Sequence, residues 1–589
     1  MSVSSTVSVV RLCITFSLLL YITGVAASTS PVHSAKRRIP GNTIFSSKDQ
    51  SDLLDDTQSA YEAEHQNVLH KPPPLEASPS LANPEATNLP DHGTFTARDA
   101  LLELRDALSN MQDQYFSLWL GKWTTAIDWT AAVTNTYVSA TLSSLTRSHD
   151  RASEHSQDGK QLDNDINKYF AQTTAFYYGE EAFAIRMQAY DDILWVVLEW
   201  LESIKFIYHR SSTQNQPWHA QQFIPAFSHR ARIFYHLSEA GWDSCLCGGG
   251  MIWNPRLLPY KNAITNQLFI AASVGMYLHF PGDDNCSPFL STTNDLDSAN
   301  PPCSRRPHHP AFLQNAIDGY AWLNASGMLN AQGLYTDGFH ISGYRSNHSK
   351  TTCDERNEMV YTYNQGVILS GLRDLFDATR NAAYLADAYT LITNVVRATG
   401  WQDEDGSWAG LGRGGVLEDL CDGSGSCNQD GQTFKGVYWH HLVAFCRPFG
   451  LHGRMSKEVA VQHGQKCKAL TEWVVWNAEA ALRTRDRRGR FGGWWGEGRG
   501  LSSAGGDGGE EGSARPPGGA IDYRNFPGLL ANWKMNEEAQ EEVSQHYAKQ
   551  AKSKDPNSHG RGRTVETQGS GLSVVRAMYE FLKLSEQES

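Results

Sequence analysis

The feature that most constrains the fold of this chain is a long succession of amphipathic helical segments that begins near residue 94. In these segments apolar residues recur every three to four positions, which is the spacing of one face of an α-helix. The clearest examples span residues 98–115, 131–145, 183–208, 222–240, 262–278, 310–327, 365–379 and 382–398. Strand-like alternation is scarce, so the sequence predicts a single all-α domain over residues 94–589.

Four long connections interrupt the helical pattern. They span residues 281–310, 412–432, 501–520 and 552–569, and the third is rich in Gly and acidic residues. Loops of this length in a compact domain are either functional or mobile. We therefore interpret them as insertions into the helical domain.

The N-terminal residues have the order of a secretory signal. Arg11 precedes a short apolar run, and small residues end it at Ala27. The run is shorter than the roughly 20 residues that a membrane span needs, although a retained anchor is the alternative. We expect a signal peptide at 1–27 and a disordered linker or propeptide at 28–93, where Ser, Pro and charged residues dominate. Because the C-terminal residues lack the apolar tail of a lipid-anchor signal, we expect soluble release.

Composition narrows the possible partners. The formal net charge of −13 argues against nucleic acid, which binds to basic surfaces. The chain has 10 Cys, and an oxidising compartment suits a pair between Cys421 and Cys427; a pair between Cys286 and Cys303 is a second hypothesis. Paired CxxC motifs are absent from the sequence, so we expect neither a metal site nor a cofactor. Asn324 and Asn347 begin glycosylation sequons, which predicts a glycoprotein if the chain is secreted.

The first candidate for catalysis is the pair Asp191 and Asp192, directly before an apolar helical run. Glycoside hydrolysis commonly uses two carboxyl groups, one of which donates a proton while the other attacks the anomeric carbon or activates water. At a helix N-terminus one group can stay ionised, and its charge raises the pKa of the other. The alternative is that both residues only cap the helix.

Two further motifs contain residue types that suit sugar binding. One begins with three glycines at 248–250, and the other combines an Asp with a Tyr-Asn pair. The candidate substrate-binding residues are Trp253, Tyr260, Lys261, Asn262, Asp337, Tyr363 and Asn364. Taken separately, the first motif also fits a Gly-rich turn before a helix, and the second fits an Asx-turn followed by a helix cap.

Together and in this order, the motifs resemble glycoside hydrolase family 76. The resemblance rests on the adjacent Asp pair, on the GGG-W and Y-K-N-A-I-T-N sequences within 248–266, and on T-Y-N-Q-G at 362–366. Weaker similarities lie at 123–135 and 434–437, so that the resemblance covers about residues 98–480. The sequence departs from the family at Met251 and Ile252, where a second aromatic is common, and at Gln267, where Glu is frequent.

The resemblance implies an (α/α)6 barrel with a sugar cleft at one end. It also implies endo-acting cleavage of α-1,6-mannan with retention of configuration. By motif position, Asp191 corresponds to the nucleophile and Asp192 to the acid/base. The listed Trp, Tyr, Lys, Asn and Asp residues would lie near the cleft, with mannan or mannooligosaccharides as the partner.

Three alternatives remain open from the sequence. A cell-wall transglycosylase would use the same two carboxylates but pass the sugar to another glycan. A non-catalytic mannan-binding wall protein would be expected to have lost one of the Asp residues, and both are present. Another carbohydrate enzyme with the same barrel would be expected to lack the Tyr-Lys-Asn and Tyr-Asn-Gln-Gly sequences.

Overall fold

A computed structural model describes residues 95–149, 157–186, 188–213, 218–285, 306–403, 406–449, 456–501, 516–526 and 554–586. The predicted signal peptide and linker lie outside these residues, as does the predicted pair of Cys286 and Cys303.

Helices dominate the described residues. They are α1 (Ala97–Tyr115), α2 (Asp128–His149), α3 (Gln157–Gly179), α4 (Ala182–Arg186), α5 (Tyr190–Ser212), α6 (Ile224–Glu239), α7 (Ala263–His279), α8 (Pro310–Ala325), α9 (Tyr363–Thr379), α10 (Ala383–Ala398), α11 (Gln429–Cys446), α12 (Lys457–Lys468), α13 (Thr471–Arg483) and α14 (Val565–Glu586). The all-α prediction is confirmed.

Six of these helices form a closed inner ring. Each packs on the next in the order α2, α5, α7, α9, α11 and α14, and α14 returns to α2. Helices α1, α3, α6, α8, α10 and α13 cover the ring from outside. Because the chain alternates between an outer and an inner helix, the inner helices all run in one direction. This arrangement is the (α/α)6 barrel that the resemblance implied.

The two layers differ in sequence because they differ in burial. Inner helix α2 is buried continuously from Trp129 to Thr146, so it carries no polar face. Outer helix α1 buries only one stripe, whose members follow the three-to-four-residue spacing of a helix: Ala97, Ala100, Leu104, Ala107, Leu108, Met111 and Gln112.

The predicted segment 183–208 is not one helix. It contains α4 and α5, and the backbone between them is extended at Ala189 (φ −72°, ψ 160°), which is the N-cap of α5. This interruption starts a new inner helix at Tyr190 and places the Asp pair in its first turn.

Two of the predicted insertions extend too far. Residues 565–569 belong to the buried first turns of α14, and α11 already begins at Gln429. Both helices are buried on all sides and start with Gly and polar residues, which hides their beginnings from an amphipathic pattern.

The strands are two or three residues long. A three-stranded antiparallel sheet contains β3 (Tyr260–Asn262), β4 (Gly338–His340) and β5 (Glu355–Asn357), with β4 in the centre. Two hairpins pair β1 (Phe116–Ser117) with β2 (Lys122–Trp123) and β6 (Gly412–Arg413) with β7 (Val416–Leu417). Since β3 leads directly into α7, the sheet lies at the end of the barrel where the inner helices begin.

Disulfides connect Cys247 with Cys353, Cys421 with Cys427, and Cys446 with Cys467. The predicted pair of Cys421 and Cys427 is therefore confirmed. In the part of the chain that the structure describes, each helix is too short or too polar to cross a membrane.

Candidate active site at the N-terminal end of the inner helices

The first turns of the inner helices meet at one end of the barrel. The indole N–H of Trp129 in α2 donates to Oδ1 of Asp430 in α11 at 2.9 Å. The hydroxyl of Thr130 donates to Oε1 of Glu566 in α14, also at 2.9 Å. Helix N-termini carry partial positive charge and unpaired N–H groups, so this end of the barrel favours carboxylates.

Asp191 is fixed by two side chains that stabilise its charged form. The indole N–H of Trp253 donates to Oδ1 at 2.9 Å, and Nη2 of Arg524 donates to Oδ2 at 2.7 Å. The side chain is buried, with 2% of its surface exposed. Charge-assisted bonds of this kind are stronger than neutral ones, so Asp191 is held as an anion in one orientation.

Asp192 lies in a different environment although it is the next residue. Its Oδ2 accepts the backbone N–H of Ala189 at 3.3 Å, which caps α5. Burial and the adjacent charge of Asp191 raise the pKa of Asp192 well above its usual range, and Arg524 only partly opposes this. The capping alternative is thus true of Asp192, and the same buried position beside Asp191 favours the protonated form of its carboxyl.

Arg524 is the main site residue that the sequence analysis missed. Its guanidinium carbon lies 4.8 Å from the ring centroid of Trp253 and 5.9 Å from the ring centroid of Tyr363. Burial and backbone contacts hold it in place, because the side-chain N–H of Asn428 donates to the Arg524 carbonyl at 2.6 Å. It comes from the short segment 516–526, whose surroundings in sequence gave no motif.

The segment that carries Arg524 is attached to the sheet beside the site. The amide of Asn357 in β5 bonds to both the N–H and the carbonyl of Ile521, at 2.7 and 2.9 Å. The hydroxyl of Tyr361 donates to Asp522 at 2.5 Å. These contacts place the guanidinium across the first turn of α5.

Asp337 lies directly before β4, and its carboxylate is bonded to the neighbouring strands. The hydroxyl of Tyr260 donates to its Oδ2 at 2.6 Å, and Asn357 and Asn364 approach at 3.4 and 3.5 Å. Burial raises the pKa of Asp337, while Arg524 and Tyr260 act in the opposite direction. The structure thus brings two of the predicted residues, Tyr260 and Asp337, into direct contact.

The three glycines form a left-handed turn against a tryptophan. Their φ values are +69°, +130° and +85°, and a Cβ on Gly250 would lie 2.6 Å from the ring of Trp322. The ammonium of Lys261 is buried and donates to the carbonyls of Gly250 and Asp243, so it braces this turn. Burial lowers the pKa of Lys261 to about 8. These contacts match the alternative of a Gly-rich turn before a helix, and sugar contacts by Lys261 remain a prediction.

The remaining predicted residues surround the start of α7 and α9. Asn262 is the N-cap of α7. The Nδ2 and Oδ1 atoms of its side chain are buried and have no hydrogen-bond partner among the described residues. Tyr363 begins α9, and its ring stacks on Phe434 with centroids 4.0 Å apart. The side-chain N–H of Gln267 donates to the backbone carbonyl of Asn364 at 2.7 Å.

Asp430 is a second residue that the sequence analysis did not select. It lies in the first turn of α11 and is paired with Trp129, whose ring stacks on Trp195 at 5.7 Å. Burial raises the pKa of Asp430, and the nearby Arg524 lowers it. Its only signal in the sequence is an Asn-Gln-Asp run before an all-buried helix, which is common at helix starts.

The arrangement can separate two chemical roles. Asp191 is oriented by a charge-assisted bond, the surroundings of Asp192 favour its protonated form, and both residues lie in the first turn of one inner helix. In the described residues, the one group of side chains close enough to share a metal is Cys421, Asp422 and Cys427, and its two sulfurs form a disulfide.

The sequence profile described as glycosyl hydrolase family 76 matches residues 306–469, which include Asp337, Tyr363 and Asn364 but not Asp191 or Asp192.

Two curated proteins are similar to parts of the chain. Mannan endo-1,6-alpha-mannosidase DFG5 of Saccharomyces cerevisiae is 25% identical over 222 residues, 36% of this chain and 38% of that protein. Mannan endo-1,6-alpha-mannosidase DCW1 of Candida albicans is 26% identical over 259 residues, 43% of this chain and 44% of that protein. The chain thus spans less than half the length of these relatives.

Among solved structures, an inactive variant of an α-1,6-mannanase of Salegentibacter sp. HEL1_6 in complex with α-1,6-mannotetrose aligns with a TM-score of 0.47. The identity is 14%, and the alignment covers 82% of this chain and 99% of that chain.

Proposed function

We propose that this chain is a glycoside hydrolase of family 76 that cleaves α-1,6-mannosidic linkages in mannan with retention of configuration, a proposal supported by the profile match and by the similar mannosidases. The observation that carries the proposal is the difference between two adjacent carboxyls. Asp191 is an anion bonded to Trp253 and Arg524, whereas burial and the charge of Asp191 raise the pKa of Asp192.

The difference supports a division of roles in the first step. The carboxylate of Asp191 attacks the anomeric carbon and forms a glycosyl ester, while the bond to the leaving oxygen breaks. The carboxyl of Asp192 gives its proton to that oxygen. Two carboxyls set to different proton affinities by their surroundings are the usual basis of this chemistry.

In the second step Asp192 acts as a base instead of an acid. Its carboxylate takes a proton from water, the resulting oxygen attacks the anomeric carbon, and the bond to Asp191 breaks. The mannose is released with its original configuration because two inversions have occurred. If a sugar hydroxyl takes the place of water, the same intermediate gives transglycosylation.

The surroundings of the pair support a sugar site. Tyr260, Asp337 and Asn364 place hydroxyl, carboxyl and amide groups beside the start of α7 and α9. Unpartnered polar atoms of Asn262 and Tyr363 are further donors and acceptors in this part of the described barrel. Buried polar groups without partners are costly, so we propose that sugar hydroxyls satisfy some of them.

We also propose that the protein is secreted and acts on mannan outside the cell. The support is the N-terminal sequence, with its apolar run and small residues before position 28. The disulfides of the barrel support it too, because such bonds persist in oxidising compartments.

Product analysis on linear α-1,6-mannan tests the proposed activity. We expect the wild type to release short reducing mannooligosaccharides, and we expect Asp191→Asn and Asp192→Asn each to reduce the rate by about a thousandfold or more. Longer products without new reducing ends would establish transglycosylation instead. Mannan binding without any product from the folded wild type would overturn the enzyme in favour of a binding protein.

A further inference from the structure

A cavity lies at the opposite end of the barrel from the Asp pair. Its volume is about 680 Å³, and the last turns of α2, α5, α11 and α14 line it. A cavity of this size is within the range of small-molecule sites. Since the inner helices are parallel, the length of α5 separates it from Asp191 and Asp192, which begin that helix.

Most cations in the cavity lining already have a counter-ion. Arg147 pairs with Glu580, and Lys205 pairs with Glu202. Arg447 is bonded to Asp374 at 2.5 Å and to a second aspartate. These pairs neutralise the acidic side chains of this end and oppose the partial negative charge of the helix C-termini.

Arg576 is different, because it is buried and makes no ion pair with a carboxylate among the described residues. Only 6% of the residue is exposed. Its Nε donates to the hydroxyl of Ser144 at 3.1 Å, and Nη1 lies 3.4 Å from Nδ1 of His440. Burial and the nearby Arg576 lower the pKa of His440 well below its usual range, so this imidazole is a neutral acceptor.

The guanidinium therefore keeps both its charge and a free donor at the cavity. Nη2 of Arg576 has no hydrogen-bond partner in the part of the chain that the structure describes, and the side chain lines the cavity. Glu202 and Glu580 are close enough to influence Arg576, but each already accepts a bond from another cation. Three cations, Arg147, Lys205 and Arg576, thus share the two carboxylates of Glu202 and Glu580, and a bound anion would balance the remaining positive charge.

The rest of the lining is largely apolar. It includes Val443, Phe449, Tyr579, Phe581 and Leu584. We infer that this cavity is a binding site for a small amphiphilic anion, with a carboxylate or phosphate group on Arg576 and an aliphatic body against the apolar wall. A guanidinium fits both head groups because each accepts two parallel N–H bonds.

Calorimetric titration of the full secreted protein tests this site. The probes are octanoate and octyl phosphate, with octan-1-ol and octyltrimethylammonium as neutral and cationic controls of the same chain length. We expect one equivalent of at least one anion to bind, and at least tenfold weaker binding of both controls. The ratio between octanoate and octyl phosphate identifies the preferred head group.

Two variants separate the contribution of the Arg576 charge from that of the cavity volume. Arg576→Met removes the guanidinium and keeps the length of the side chain, and Leu584→Trp fills the cavity beside it. We expect each to weaken anion binding at least tenfold. The matched control is Arg98→Met, since the side chain of Arg98 is 81% exposed on α1, and it should bind as the wild type does.

The site is independent of the proposed glycosidase activity. Asp191→Asn should therefore bind the anion with unchanged affinity. If Arg576→Met fails to fold, Leu584→Trp decides alone. The inference is overturned if the folded wild type binds neither anion, or if either folded cavity variant binds as tightly as the wild type.

Discussion

At the level of single residues, the proposed mechanism depends on the unequal environments of Asp191 and Asp192. The sequence indicated that the two residues were a pair and that they preceded a buried helix. It could not indicate Arg524, because this residue is 332 positions further along the chain than Asp192 and reaches the site only through the fold. Long-range contacts of a lone arginine leave no local pattern.

The charge of Arg524 should determine the alkaline limit of activity. Arg524 lowers the pKa of Asp192 against the effects of burial and of Asp191. In Arg524→Gln the pKa of Asp192 rises further, so Asp192 stays protonated to higher pH. The alkaline limb of the kcat/KM profile therefore moves to higher pH. Arg524→Lys retains a cation and should move the limb less. An alkaline limb that stays in place in Arg524→Gln would contradict this role.

The indole N–H of Trp253 should contribute more to kcat/KM than the aromatic ring does. Trp253→Phe keeps an aromatic face but removes the 2.9 Å bond to Asp191. A hydrogen bond to a charged group contributes about 1.5–3 kcal/mol, so we expect kcat/KM to fall roughly 10- to 100-fold. Steady-state kinetics on α-1,6-mannohexaose measure this, with circular dichroism to verify folding. Wild-type kinetics in Trp253→Phe would show that the bond does not support catalysis.

Among the helices, the amphipathic outer ones and some buried inner ones were predictable, since segment 131–145 lies within α2 and segment 262–278 agrees with α7 to within a residue. The predicted segment 98–115 agrees with α1 to within a residue because α1 has one apolar stripe. Helix α11 was not predicted, since it is buried from Gly431 to Val443 and mixes Gly, His and Lys with apolar residues. The break before α5 was also missed, because an extended residue such as Ala189 has no distinctive side chain.

The glycine turn before β3 gives a prediction about stability. Gly250→Ala requires φ near +85° and brings a Cβ to 2.6 Å from Trp322, whereas Gly248→Ala requires φ near +69° with open space around it. We expect a loss of about 1 kcal/mol for Gly248→Ala from backbone strain. Gly250→Ala should lose about 2–4 kcal/mol because overpacking is added.

Urea unfolding followed by tryptophan fluorescence compares the two glycine variants. Equal losses of unfolding free energy would mean that the contact with Trp322 does not restrict Gly250. Because the turn leads into the strand that follows Trp253, Gly250→Ala should also lower activity more than Gly248→Ala does.

At the scale of the whole molecule, the barrel gathers six helix starts at one end and their C-terminal turns at the other. The resemblance of motifs predicted this architecture, whereas periodicity alone predicted only an all-α domain. The barrel buries many titratable groups, among them Glu418, which is fully buried and bonded to Arg413 and Trp494 at 3.3 and 3.1 Å. Such groups couple stability to pH.

Glu418 should make the protein more stable in mild acid than at neutral pH. Burial raises its pKa from 4.5 to about 7 in the folded state. Between these values the folded state binds a proton that the unfolded state releases, so stability falls as pH rises through this window. The shift corresponds to about 3 kcal/mol, and we expect Glu418→Gln to remove roughly that much of the difference in unfolding free energy between pH 4.5 and pH 8.

The matched control for this pH effect is Glu472→Gln, because Glu472 is exposed on α13. It should leave the pH dependence of urea unfolding unchanged. If Glu418→Gln and the wild type lose the same free energy between the two pH values, Glu418 is not the group responsible.

In the proposed mechanism Asp191 forms a glycosyl ester and Asp192 donates the proton. The most direct test is proton NMR of the first reducing ends released from α-1,6-mannohexaose, recorded before mutarotation. We expect the α-anomer of the new reducing end to appear first in the wild type and neither anomer to appear with Asp191→Asn. Initial release of the β-anomer would mean a single displacement by water and would contradict the assignment of Asp191 as nucleophile.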